Sequence, residues 1–371
     1  MKNYIYRKKS LAMTSLNIVF DAGSRNETDG ERGTMHLMEH LVCKTFKDMY
    51  GRLAELGIDW NAYTNSECVR VSFIGLDKYL TNELKAELYK RITGGIDFLG
   101  EDEFETEKNV VLQEYMDHIF DSDSASWMQV MRKWWGDYLT IGRKSDIEAF
   151  TYDDMKRVYA ERFTAPARIV EVGRRKTELF ETVRFKEIDK NLSRYRFGRR
   201  KGIEDVNVAS DDKTPVFLFS RKRVTKSDYP YLFTGLMMLT DGLESPYYTE
   251  LREKLGLTYY VWGDVLREHD NGVMVINACT DSENAERLKG KIGWLVEHTA
   301  DYMTTERFDT VMSKIKIERE MNDAVLYKNP SRLASISKMR MPNRLSSITF
   351  GKVVETTLKY MSDTVVVTHK D

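Results

Sequence analysis

Apolar and polar positions along this chain change period several times, and each change marks an element. Period-two alternation typical of half-buried strands runs through residues 15–20, 69–74 and 167–172. Between them the period lengthens toward 3.6, which predicts helices over 34–47, 50–56, 78–99 and 103–120. The last carries Phe104, Val111, Leu112 and Met116 as a candidate buried stripe. The same order returns later: strands at 216–219, 257–262, 273–278 and 364–368, with helices at 231–239, 247–255, 285–303 and 307–321. Each half thus alternates strands with helices and closes on a short Val-rich strand. That pattern predicts a duplicated α+β unit in which helices cover one face of a sheet. Periodicity fades between about 181 and 215, where a basic run at 194–201 is followed by an acidic one at 204–212. This reads as a linker, dividing the chain into domains at 1–180 and 215–371 around a connection at 181–214.

A length of 371 residues supports two cores of this kind. The net charge of −1, from 57 basic and 58 acidic residues, gives no electrostatic reason to expect nucleic acid or an anionic membrane as partner. No stretch approaches the 18 or so apolar residues of a membrane span, and the first twenty residues lack the apolar run of a secretory signal. The three cysteines are odd in number and widely spaced, which fits a reducing compartment. The expected location is the cytoplasm.

The chemistry concentrates at His36-Leu37-Met38-Glu39-His40. On a helix His36 and His40, four apart, share a face and offer two nitrogen ligands from one rigid turn. Glu39 is placed to reach a metal-bound water, and H-x-x-E-H is the inverzincin order. A zinc site of this kind needs a third protein ligand and a position left for water. The acidic helix after residue 101 offers candidates, since Glu107 and Glu114 are seven apart and share a face, with Asp117 and His118 on neighbouring ones. Cys43, three residues beyond His40, reads as a buried structural thiol.

With Glu114 lying 74 residues after His40 and Glu107 seven before it, the chain resembles the pitrilysin and insulin-degrading enzyme superfamily, which includes mitochondrial processing peptidase. The likeness covers nearly the whole chain. It takes in Ala22-Gly23-Ser24-Arg25-Asn26-Glu27, the segment Asn61-Ala62-Tyr63-Thr64, the E-x-x-V-V-x-x-E pattern ending at Glu114, and residues 245–260, SPYYTELREKLGLTYY. Leu41-Val42-Cys43-Lys44-Thr45 departs from the family in lacking its turn glycine.

The resemblance implies two homologous domains, each a mostly antiparallel sheet with helices on one face. It implies one zinc ion per chain held by His36, His40 and Glu114, Glu39 as general base and Glu107 as a supporting carboxylate. Asn61 and Ala62 would then sit on an edge strand that takes an extended peptide by strand addition. Arg252 and Tyr259 would contact substrate, with Tyr259 donating to the developing oxyanion. The activity so implied is that of a zinc metalloendopeptidase on extended or unfolded polypeptides. Closed chambers of four such domains imply a homodimer, its sites shared between protomers. The alternative is a non-catalytic, structural or peptide-binding subunit of the same fold.

Overall fold

The computed structural model describes residues 3–7, 12–134, 136, 139–173, 179–181, 183–188, 198, 212–268, 270–324 and 337–371. The linker expected at 181–214 lies largely outside them. The chain forms two compact units. The first comprises Met1–Met116, Tyr138–Leu192 and Met321–Ile336, and the second Asp117–Asp137, Ser193–Glu320 and Ser337–Asp371.

In the first unit, strands β1 (Asn3–Arg7), β2 (Met13–Phe20), β3 (Asp59–Thr64), β4 (Val69–Leu76) and β5 (Arg168–Gly173) form one sheet in the order β1-β5-β2-β4-β3. Only β1 and β5 run parallel; the other three pairings are antiparallel. Alternate side chains Leu16, Ile18, Phe20, Val69, Val71, Phe73 and Ile169 enter a single core. Helices α1 (Thr34–Lys44), α2 (Tyr50–Glu55), α3 (Asn82–Gly94), α4 (Glu101–Phe120), α6 (Lys144–Ala149) and α7 (Tyr152–Arg162) supply its other side. The remaining helix of this stretch, α5 (Ser122–Trp134), belongs to the second unit.

The helix expected over 78–99 is shorter, because Thr81 caps it by accepting from the Leu84 amide and Gly94-Gly95 ends it. Lys85 on α3 meets Glu171 on β5 at 2.6 Å, both buried, a pair whose separation would strand an uncompensated charge in the core. The buried stripe of α4 is Phe104, Glu107, Val111 and Tyr115. Leu112 and Met116 are only partly buried, so a carboxylate takes a place that the apolar pattern does not provide for.

In the second unit, β6 (Lys213–Ser220), β7 (Val224–Thr225), β8 (Val261–Glu268), β9 (Asn271–Asp281) and β10 (Thr364–Thr368) pair antiparallel in the order β10-β6-β9-β7, with β8 on β9. Val216, Leu218, Met274 and Ile276 pack with α8 (Tyr229–Thr240), α10 (Ala285–Glu297), α11 (Thr305–Ala324) and α12 (Phe350–Met361). On the other face Phe217 meets Trp127 of α5, ring centroids 5.2 Å apart, so one helix covers that side as well.

The strand expected at 257–262 begins only at Val261. Before it, α9 (Pro246–Tyr248) runs into a π turn at Thr249–Glu253. Gly256 then takes φ +59°, a left-handed stop that turns the chain before pairing starts. The architecture is α+β, two mostly antiparallel sheets with their helices.

Candidate metal centre

The N-terminus of α1 is built to be fixed in place. Gly33 adopts φ +95°, and a Cβ there would lie 3.0 Å from the Gly142 Cα and 2.9 Å from Ile147 Cδ1. No side chain of its own caps the helix. Glu27 does so from outside, its two carboxylate oxygens accepting from the Gly33 amide (3.0 Å) and the Met35 amide (2.8 Å). Burial pushes the Glu27 carboxyl up to about 8, while the two amides and Arg32 pull it down. Leu37, Met38, Leu41 and Val42 are fully buried and anchor the far side of α1, leaving His36, Glu39 and His40 on the other face.

Among the described residues, one group of His, Cys, Asp and Glu side chains is placed to hold a metal ion: His36, His40 and Glu114, with one ligand atom each and all within 4.8 Å of one another. The Glu114 Oε2 lies 3.5 Å from His36 Nε2 and 3.8 Å from His40 Nε2. Zinc bonded at about 2.0–2.1 Å in tetrahedral geometry spaces its ligand atoms by roughly 3.4 Å. The two nitrogens and the carboxylate therefore suit that ion in both donor type and spacing.

The second ring nitrogen of His40 is committed elsewhere. Its Nδ1 faces Glu107 Oε2 at 3.3 Å, and Lys44 Nζ sits 2.7 Å from the other Glu107 oxygen. With Nδ1 donating to the carboxylate, His40 is held in the tautomer that turns the Nε2 lone pair toward Glu114. Glu39 is half-buried beside this group, and the Thr64 hydroxyl at the end of β3 donates to its Oε2. Burial pushes the Glu39 carboxyl above its ordinary range, with the Thr64 hydrogen bond and His40 working against that rise.

Asn61 and Ala62 lie on β3, whose single strand neighbour among the described residues is β4, so the other edge of β3 has backbone groups available for pairing. Asn61 is exposed and Ala62 half-buried. Arg252 and Tyr259 belong to the second unit and touch each other. The Arg252 guanidinium lies 4.6 Å above the Tyr259 ring and 5.0 Å above that of Tyr248. It donates to the Tyr259 carbonyl (3.0 Å) and the Tyr248 hydroxyl, while Tyr259 itself is 76% exposed.

Cys43 is buried, its thiol pushed up by desolvation, and it takes no part in the donor trio. His118 is exposed at the end of α4 and also lies outside it. Three contributors escape the motif reading. Lys44 follows His40 by four residues on the same helical face, a spacing that could have revealed it. Thr64 stands inside the quoted N-A-x-T segment without a role assigned to it. Glu27 ends the quoted segment 22–27 without a role assigned to it, because its partners come six and eight residues later.

No helix among the described residues is long and apolar enough to cross a membrane. Residues 5–124 match the family described as "Insulinase (Peptidase family M16)", and residues 178–315 match "Peptidase M16 inactive domain". A protein of Rickettsia bellii (strain RML369-C), named as an uncharacterized zinc protease, is 22% identical over 349 residues, 87% of this chain and 82% of that one. The beta subunit of mitochondrial-processing peptidase of Homo sapiens is 32% identical over 111 residues, 28% of this chain and 22% of that subunit. A protease from Helicobacter pylori superposes with a TM-score of 0.77 at 19% identity, over 98% of this chain and 95% of that one. A peptidase M16 inactive domain from Pseudomonas fluorescens gives 0.75 at 17% identity, over 98% and 94% of the two chains. With both of its sequence regions matched within one family and a fold shared along nearly its full length, the chain belongs to the insulinase, or pitrilysin, family of M16 peptidases.

Proposed function

We propose that this chain is a zinc metalloendopeptidase. The observation that carries the reading is the convergence of His36 Nε2, His40 Nε2 and the Glu114 carboxylate, with the half-buried Glu39 carboxyl alongside. Zinc, when bound, supplies a Lewis acid for a peptide carbonyl and makes water a usable nucleophile near neutral pH. The chain's own groups do the rest. Glu39 accepts the proton of the attacking water and returns it to the leaving amine. Thr64 holds the Glu39 carboxylate through its hydroxyl at Oε2. The free edge of β3 at Asn61 and Ala62 takes an extended peptide by backbone pairing, a mode that tolerates many sequences. The purified chain should hold about one zinc ion and cleave an internally quenched, unstructured peptide in a chelator-sensitive way. A chain that bound zinc yet left a broad set of such peptides intact would count for a non-catalytic subunit instead.

Glu107 supports the ligand His40 through Nδ1, so its replacement should weaken zinc without abolishing the site. For Glu107→Gln, zinc affinity measured by chelator competition falls about 10- to 100-fold, and excess zinc restores most activity. Unchanged affinity would remove Glu107 from the site's support.

The exposed Tyr259, stacked on Arg252, is proposed as a substrate contact that serves the zinc site of a second protomer in a homodimer. Mixing Arg252→Ala chains with Glu39→Gln chains, each nearly inactive alone, should then regain about a quarter of wild-type activity at random pairing. Verified mixed dimers that remain inactive would place the pair in the service of its own chain.

A further inference from the structure

The metal helix and the peptide-accepting strand are joined twice. One tie is the Thr64–Glu39 hydrogen bond. The other runs through residues 21–27, which leave β2 and cross to the end of β3. There the Ser24 amide donates to the Asn65 carbonyl and the Arg25 amide to the Ser66 carbonyl, both at 3.1 Å. The approach is close enough that a Cβ on Gly23 would lie 2.3 Å from the Ser66 oxygen. Asn26 locks the turn, its Oδ1 accepting from the Gly23 amide at 2.9 Å. The segment ends at Glu27, whose carboxyl takes the amides of Gly33 and Met35 at the start of α1, and whose carbonyl accepts from Arg32 at 2.8 Å.

Glu27 is 4% exposed. A buried carboxyl is costly to keep, and an ordinary Ser or Thr cap would start the helix at lower cost. What such a cap would not do is attach the helix to the end of β3. We propose that Glu27 is a positioning residue that sets the metal-binding turn of α1 against the peptide-accepting strand. It acts through the backbone of Gly33 and Met35, the latter adjacent to His36. The inference rests on the peptidase reading above, and it adds to that reading the residue that aligns ligands, base and substrate strand.

The test is Glu27→Gln, in which one carboxyl oxygen becomes an NH2 that faces an amide donor and accepts nothing. A second variant, Glu27→Asp, keeps the carboxyl but falls one methylene short of reaching both amides. In full-length protein with an unfolding transition and circular dichroism close to wild type, Glu27→Gln should weaken zinc about 10-fold or more by chelator competition. At saturating zinc it should lower kcat about tenfold while KM changes less than twofold, since the peptide still finds the β3 edge. Glu27→Asp should fall between the two, and it carries the test if the Gln variant does not fold.

Zinc affinity and kcat equal to wild type in a folded variant would overturn the proposal. So would a loss confined to thermal stability, because that is all a mere cap would give. If the wild type binds zinc but cleaves no peptide, the peptidase reading fails while the zinc measurement still decides the role of Glu27. A wild type that binds no zinc would sink both.

Discussion

Glu39→Gln should keep its zinc and lose its peptidase activity, by about a thousandfold in kcat, within the range assigned to a positioned general acid–base group. The amide has nearly the shape of the carboxylate, and its oxygen can still accept from Thr64, so the contact between α1 and the end of β3 keeps its geometry. What the amide lacks is proton affinity. The base must take a proton from water in one step and release it to an amine in the next, and neither transfer is open to it. Stability should be unchanged or slightly higher, because burial already works against the charged form of Glu39. Since Glu39 is not among the three donors, metal content should remain about one per chain. The measurement pairs kcat/KM on a quenched peptide with zinc determined after gel filtration. Near-normal cleavage would strip Glu39 of its role, whereas loss of zinc together with activity would make it part of the metal's support.

How much of this arrangement is legible in the sequence depends on the range over which each contact acts. His36, Glu39 and His40 are readable because a helix has a fixed period, and four residues bring two side chains to one face. Glu107 and Glu114 are readable as a pair on one face for the same reason. Their approach to α1 is not, since it depends on how two helices pack. Only the family pattern links Glu114 to His40, and the structure brings the two within 3.8 Å. The capping role of Glu27 is hidden for a related reason, because a capping side chain normally stands at the helix boundary and this one comes from a preceding loop.

In the fold, long periodic segments such as Glu101–Phe120 and Thr305–Ala324 are found close to their expected limits. Short strands depend more on context. Asn3–Arg7 pairs with β5 although charge crowds the stretch that follows it. The segment 257–260 has strand-like residues, but it follows the π turn at Thr249–Glu253 and the left-handed Gly256, and strand pairing begins only at Val261. Pairing partners and left-handed glycines decide such cases, and neither shows in a local count of apolar residues.

Removing a ligand should act differently from removing the base or a supporting group. Glu114→Ala takes away one of three protein donors, so zinc affinity should drop by more than the roughly 100-fold that bounds the loss of a supporting residue such as Glu107. Activity should fall to background, and excess zinc should not restore it, because the two remaining imidazoles cannot hold the ion in a geometry that presents it to substrate. The consequence reaches stability as well. An ion bound to the folded state alone stabilises it by RT ln(1 + [L]/Kd), about 4 kcal/mol at a thousand times Kd. Chelator should therefore lower the unfolding temperature of the wild type by several degrees and leave that of Glu114→Ala nearly unmoved. Glu39→Gln should respond to chelator as the wild type does, since its donors are intact. Glu107→Gln should respond at lower chelator concentration. The four proteins thus fall into an order that separates ligand, support and base by a thermal measurement that needs no substrate. If the Glu114→Ala chain kept a chelator-sensitive transition like that of the wild type, the third donor would have to lie elsewhere in the chain.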